Sequence, residues 1–172
     1  MTPAKSPTAR KGVVKIGVLS DTHDRPLPDQ VVNDFKQVDI IVHVGDFCSR
    51  AVYDALTKIR PVEAVRGNMD NSEMASLLPQ KKIFTAGRFR IGLFHGGGPP
   101  NGLFDKVRSE FAGAKVDAVI FGHSHKPLNE MKEGVLYFNP GSPTDDVYAP
   151  YQSYGIIDVS GDKITGHIIK VK

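Results

Sequence analysis

The segment Val13-Val14-Lys15-Ile16-Gly17-Val18-Leu19-Ser20-Asp21-Thr22-His23 decides the fold class. A run rich in β-branched aliphatics passes without a spacer into polar residues, and its apolar side chains fall on both faces of an extended chain. That is the pattern of a strand covered on both sides. It returns at Asp39–Val44, Val62–Val65, Phe89–Phe94 and Ala118–Phe121. Helical stripes lie between these runs. Val31, Val32 and Phe35 follow Pro28, which suits a first helical turn. Val52, Ala55, Leu56 and Ile59 follow Ser49, a candidate N-cap. Leu103, Phe104, Val107 and Phe111 form a third stripe. Strands alternating with helices predict an α/β fold.

The later part of the chain changes character. Ile83–Thr85 and Phe89–Phe94 flank Gly87-Arg88, a hairpin turn with glycine at its first central position. Val135–Phe138, Tyr154–Val159 and Ile164–Val171 read as strands, with turns at Glu133-Gly134 and Gly161-Asp162. No internal repeat or linker interrupts the pattern. Residues 13–172 are expected to form one domain of two packed sheets with helices outside. Residues 1–12 hold Lys5, Arg10 and Lys11 with Pro3, Ser6, Pro7 and Thr8 and no acid, and read as a disordered basic tail.

Charge narrows the function. The formal net charge is +3, but three of the 22 basic residues lie in the tail, and the other 19 balance 19 acidic ones. A neutral body argues against a nucleic-acid duplex as partner. No apolar run approaches the ~20 residues that cross a bilayer, and no signal peptide is evident. Cys48 is the one cysteine, so no internal disulfide forms, and a cytoplasmic setting is expected.

The polar residues gather where strands end. Asp21 and His23 follow the first run, Gly45-Asp46 the second, Gly67-Asn68-Met69-Asp70 the third, His95-Gly96-Gly97-Gly98 the fourth, and Gly122-His123-Ser124-His125 the fifth. The C-terminal edge of an open α/β sheet is where ligands bind. Oxygen donors mixed with imidazoles suit borderline divalent metals, namely manganese, iron, zinc, cobalt or nickel. Seven such groups match two ions about 3.5–4 Å apart that share a bridging carboxylate. Taken singly, each position also fits a helix cap or a hydrogen-bonded core histidine; the ordered series carries the metal reading.

The series Asp-x-His, Gly-Asp, Gly-Asn-x-Asp, His-Gly and Gly-His-x-His resembles the calcineurin-like metallophosphoesterase superfamily. It is most similar to the small single-domain phosphodiesterases of bacteria and archaea, whose Asn-Pro-Gly-Ser segment matches Asn139-Pro140-Gly141-Ser142. The resemblance implies a four-layer α/β/β/α sandwich and two ions, manganese foremost. One ion would be held by Asp21, His23, Asp46 and His125, the other by Asp46, Asn68, His95 and His123. It further implies in-line attack on phosphorus by a hydroxide bridging the ions, in a small phosphodiester substrate of nucleotide-like type. Asn68 and the amides of Gly96 and Gly97 would touch that substrate. Phosphomonoesterase or dinucleotide pyrophosphatase activity is an alternative, and homo-oligomers are compatible with the pattern. The retromer scaffold subunit of eukaryotes shares this fold, so a binding role without catalysis is the reading from another class. The complete ligand set favours an enzyme.

Two departures from the family pattern stand out. Many members place a proton-donating histidine after the motif asparagine, where this chain has Met69, whose thioether cannot donate. Asp70 is the nearest candidate donor, against a competing role in orienting Asn68 or a ligand histidine. Asp145 and Asp146 stand where related chains often carry arginine, and are expected to repel an anionic substrate unless they point away. Among the remaining polar residues, His43 reads as a buried structural histidine, His167 as exposed, and Cys48 as a small buried hydrophobe. Arg66 reads as a surface or phosphate-facing residue, and Tyr148, Tyr151 and Tyr154 as packing residues.

Overall fold

Both faces of β1 (Val13–Leu19) are apolar, and it lies at the centre of its sheet with neighbours on either side. The computed structural model describes residues 12–172, so the tail expected over residues 1–12 lies outside the described residues except for Gly12. β1 pairs in parallel with β2 (Ile40–His43), which pairs in parallel with β3 (Val62–Ala64). On its other side it runs antiparallel to β9 (Ser153–Ser160), which carries β10 (Lys163–Lys170) at the edge.

The second sheet contains β4 (Lys81–Ala86), β5 (Phe89–Phe94), β6 (Ala118–Ile120), β7 (Leu128–Lys132) and β8 (Val135–Asn139), in the order β4-β5-β6-β8-β7. Its β5-β6 and β6-β8 pairs are parallel and its edges antiparallel. Both sheets are therefore mixed.

The layers follow from which residues face which way. Ile16, Val18, Val42 and Val44 of the first sheet meet Ile91, Leu93, Ile120 and Phe138 of the second in a shared core. The outer face of the first sheet packs on α1 (Asp29–Phe35), α2 (Arg50–Thr57) and α3 (Ser72–Leu77) through Leu19, Ile41, Val31, Phe35, Leu56 and Met74. Leu103 and Val107 of α4 (Leu103–Glu110), with Phe111 just beyond it, cover the second sheet over Phe94, Val119 and Phe121. The result is the expected α/β/β/α sandwich. Among the described residues no helix is long and apolar enough to cross a membrane.

Some expectations need correction. Ser49 occupies the N-cap of α2 without capping it, because its hydroxyl and amide both turn to Asp24 Oδ1. Ala55 of the α2 stripe is exposed. Helix α3 and strand β7 were not anticipated: α3 buries only Met74, and β7 is a largely exposed edge strand, so neither has a strong hydrophobic period.

Candidate metal centre

The C-terminal ends of β1, β2, β3, β5 and β6 converge, and the loops leaving them are tied together by their backbones. Asp21 N donates to Gly45 O and His23 N to Asp46 O, each at 3.0 Å. Asp21, His23, Asp46, His123 and His125 all adopt left-handed backbone, with φ of 57°, 48°, 59°, 69° and 56°. Each such non-glycine residue costs about 1 kcal/mol, and strain of this kind concentrates at functional sites. The glycines beside them allow close approach. A Cβ on Gly67 would lie 2.1 Å from Asp46 Oδ1, and one on Gly122 only 1.9 Å from Ser20 Oγ.

Each histidine has one ring nitrogen committed outward. His95 Nδ1–H donates to Val44 O at 2.7 Å, and His123 Nε2–H to Gly98 O at 2.8 Å. His125 Nδ1–H donates to Asp145 Oδ2 at 2.5 Å, and His23 Nδ1 lies 3.4 Å from Cys48 Sγ. For His95, His123 and His125 those bonds assign the Nδ1 or Nε2 proton and turn the other ring nitrogen inward. His95 Nε2 and His123 Nδ1 each face Asn68 Oδ1 at 3.1 Å. His125 Nε2 faces His23 Nε2 at 3.3 Å. Asp46 Oδ2 lies 3.3 Å from His95 Nε2 and 3.8 Å from His23 Nε2.

Asp21 Oδ1 is buried and has no hydrogen-bond partner, although Nε2 of His125, His95 and His23 lie 3.2, 3.8 and 3.9 Å away. A cluster of mutually facing lone pairs is repulsive unless cations enter it, and divalent metals fit this donor set. The structure brings all seven sequence-derived positions together. Donor atoms of Asp21, His23 and His125 form one group, and those of Asp21, Asp46 and His95 another. Asp21 thus reaches both groups, a place that sequence reasoning gave to Asp46 alone.

Without metal, protons take up part of this role. The adjoining Asp21 carboxylate pushes His125 up to about 9 against the opposing effect of burial, with Asp145 adding to the shift. Burial would lower His95, but Asp46 and Asp21 hold it above the usual histidine range. Burial would raise Asp21 and Asp46, yet the histidines beside them hold both below the ordinary carboxylate range.

The model of the calcineurin-like phosphoesterase superfamily domain matches residues 14–162. A probable metallophosphoesterase of Methanothermobacter thermautotrophicus is 35% identical over 90% of this chain and 91% of its own. A second, from Methanocaldococcus jannaschii, is 39% identical over 77% of this chain and 70% of its own. Among solved structures, Vps29 of Chaetomium thermophilum superposes with a TM-score of 0.81 at 26% identity, over 92% of this chain and 89% of that one.

The chain belongs to the calcineurin-like phosphoesterase superfamily. That family is metal-dependent, and the remaining residues of this phosphoesterase can be placed around its candidate centre. Asp70 accepts from Gly67 N and Asp46 N through Oδ2, at 2.7 and 3.2 Å, and from Cys48 N through Oδ1 at 2.8 Å. Its oxygens thereby tie the loop after β2 to the loop after β3. Met69 N donates to Asp46 Oδ1 at 2.8 Å while its side chain is 57% exposed. The glycine loop touches the site through the Gly98 carbonyl, and Gly97 O accepts from Lys106 Nζ. Arg66 bonds Ala75 O rather than reaching the centre.

Sequence reasoning missed Asp145 as part of the site. It is buried and accepts hydrogen bonds from His125 Nδ1–H and from the amides of Val147, Tyr148 and Ala149. Asp146 turns instead to Arg25 at 2.9 Å, so the expected repulsion is largely neutralised. Cys48 is half-buried beside His23, not a core residue, and burial together with Asp24 and Asp46 pushes its thiol up to about 11. His43 is buried, bonded to Thr22 Oγ1 and Gly45 N, and pushed down by burial to about 3. His167 is exposed. Tyr154 is buried as expected, whereas Tyr148 stands out from the surface.

Proposed function

We propose that this protein hydrolyses phosphodiesters at a centre of two divalent ions, manganese first among them. Asp21, His23, Asp46 and His125 would hold one ion, and Asp46, Asn68, His95 and His123 the other. The observation that carries this reading is the buried, partnerless Asp21 Oδ1, faced by histidine nitrogens whose opposite ring atoms are already committed. When bound, such ions supply Lewis acidity toward the phosphoryl oxygens and lower the pKa of water toward 7.

The protein's own groups do the rest. Val44 O, Gly98 O and Asp145 hold the imidazoles in register. Asp70 and the Met69 amide hold Asp46. No imidazole follows Asn68 to protonate the departing oxygen, which favours diesters with acidic leaving groups over monoesters of alkyl alcohols.

Protein stripped of metal and reconstituted with manganese should return about two ions per chain by elemental analysis. It should then hydrolyse bis(p-nitrophenyl) phosphate. Absence of specific metal binding sinks the reading. Two bound ions with no hydrolysis of any phosphoester would instead support a binding role, the second reading, which the likeness in fold to Vps29 favours.

A further inference from the structure

A pocket of about 170 Å³ opens beside the candidate centre, lined by His23 and His125, by Thr144 and the Asp145 carboxylate, and by Arg25, Val147 and Tyr148. Its outer residues are unusual for a surface: Tyr148 is 78% exposed and Val147 68% exposed, side by side. They are not loose. Asp145 Oδ1 takes Val147 N at 2.8 Å and Tyr148 N at 3.2 Å, while Oδ2 takes Ala149 N at 3.0 Å and the His125 ring. One carboxylate therefore fixes both an inward-facing histidine of the centre and the turn that displays Tyr148.

Arg25 is fixed as well, its Nη1 donating to Thr144 O at 2.7 Å and to Asp146 Oδ1 at 2.9 Å. The Arg25–Asp146 pair offsets its own charge, so the pocket offers little to a second anionic group. What it does offer is a phenol ring, an aliphatic side chain and a guanidinium plane. Those are the surfaces on which planar rings stack. In size the pocket compares with the ~150 Å³ cavity that accommodates one benzene.

We propose that this pocket binds one neutral aromatic ring, the aryl or pyrimidine substituent of a phosphodiester whose phosphate lies at the centre. The assignment rests on the phosphodiesterase reading above and deepens it by naming the substrate class. Calorimetric titration of the manganese-loaded protein with phenyl phosphate and with methyl phosphate isolates the ring from the phosphate. Phenyl phosphate should bind about tenfold more tightly. Tyr148→Ala should abolish that preference, while Tyr148→Phe, which keeps the ring, retains it. Tyr151→Ala lies outside the pocket and serves as a control that also retains it. Equal affinities in the unmodified protein, or a preference that survives Tyr148→Ala, would overturn the ring subsite alone. Failure of both esters to bind would remove the phosphate site and both readings with it.

Discussion

At Asp145, two functions meet in one carboxylate: it accepts a hydrogen bond from His125 Nδ1–H, with N and O 2.5 Å apart, and from three backbone amides of the following turn. Burial would raise its pKa, but His125 and those amides bring it down to about 2. Asp145→Asn keeps the shape and removes the charge, so the imidazole keeps its place and loses basicity. Metal affinity should fall about 10–100-fold, with little change in fold by circular dichroism. Unchanged affinity in a metal titration would deny the carboxylate any tuning role. Met69 supports a different test, because its amide orients Asp46 while its side chain projects outward. Met69→His therefore preserves the amide contact and adds a possible proton donor. In the unmodified enzyme, kcat/KM across substituted phenyl diesters should depend steeply on leaving-group acidity, and Met69→His should flatten that slope. A flat slope in the unmodified enzyme would mean that another group already supplies the proton. The positions that converge at the candidate centre were legible in sequence because each follows an apolar strand and each residue type is a competent donor. Asp145 was legible only as a charge that would repel an anionic substrate unless it pointed away, and its bond to His125 was not. Its partner lies 20 residues away and is met only through the path of the loop after β8, which no sequence spacing encodes.

Among the elements, the same packing device appears on both sheets. The Phe35 ring of α1 covers Gly17 of β1, and the Phe111 ring beyond α4 covers Gly92 of β5. A Cβ on Gly92 would stand 2.5 Å from Phe111 Cε1, and one on Gly17 would stand 2.7 Å from Phe35 Cε1. Each glycine removes a side chain where a helix crosses, letting an aromatic ring lie against the strand. Gly92→Ala should destabilise by about 1–3 kcal/mol through overpacking, and Phe111→Leu in the same chain should recover part of that loss. Denaturant titration checks both variants. A neutral Gly92→Ala would mean that the ring moves aside freely. These helix–strand partners explain why the central strands were readable from their apolar runs, whereas the reason for glycine inside them was not. The elements that escaped sequence reading, α3 and β7, are those that bury least. α3 relies on a local cap, Asn71 Oδ1 accepting from Met74 N at 3.0 Å, and β7 on pairing with β8.

Across the whole molecule, histidines of opposite character, the buried His43 and the partly buried His125, set how stability responds to pH. His43 is kept neutral by burial, with a folded pKa of about 3 against 6.5 when free. The unfolded chain binds that proton more readily between these values, so His43 makes the protein more stable as pH rises from about 3 to 6.5. His125 behaves oppositely, its folded pKa standing at about 9 against 6.5. Its contribution is complete below pH 6.5 and is lost as pH climbs to about 9, because there the folded chain binds the extra proton. His95 is shifted in the same direction as His125. The metal-free protein should therefore be most stable near pH 6.5 and weaken on either side. Metal reverses the alkaline limb, since ions compete with those protons for the inward nitrogens and their affinity rises as His125 deprotonates. The difference in Tm between manganese-loaded and metal-free protein should consequently widen from pH 6.5 toward pH 9. Differential scanning calorimetry at fixed manganese concentration across pH 4–9 measures both curves. A metal-free Tm that stays level or rises between pH 6.5 and 9 would show that protons do not hold the empty cluster together. The lone pairs around Asp21 would then have to be relieved by movement of the loops instead.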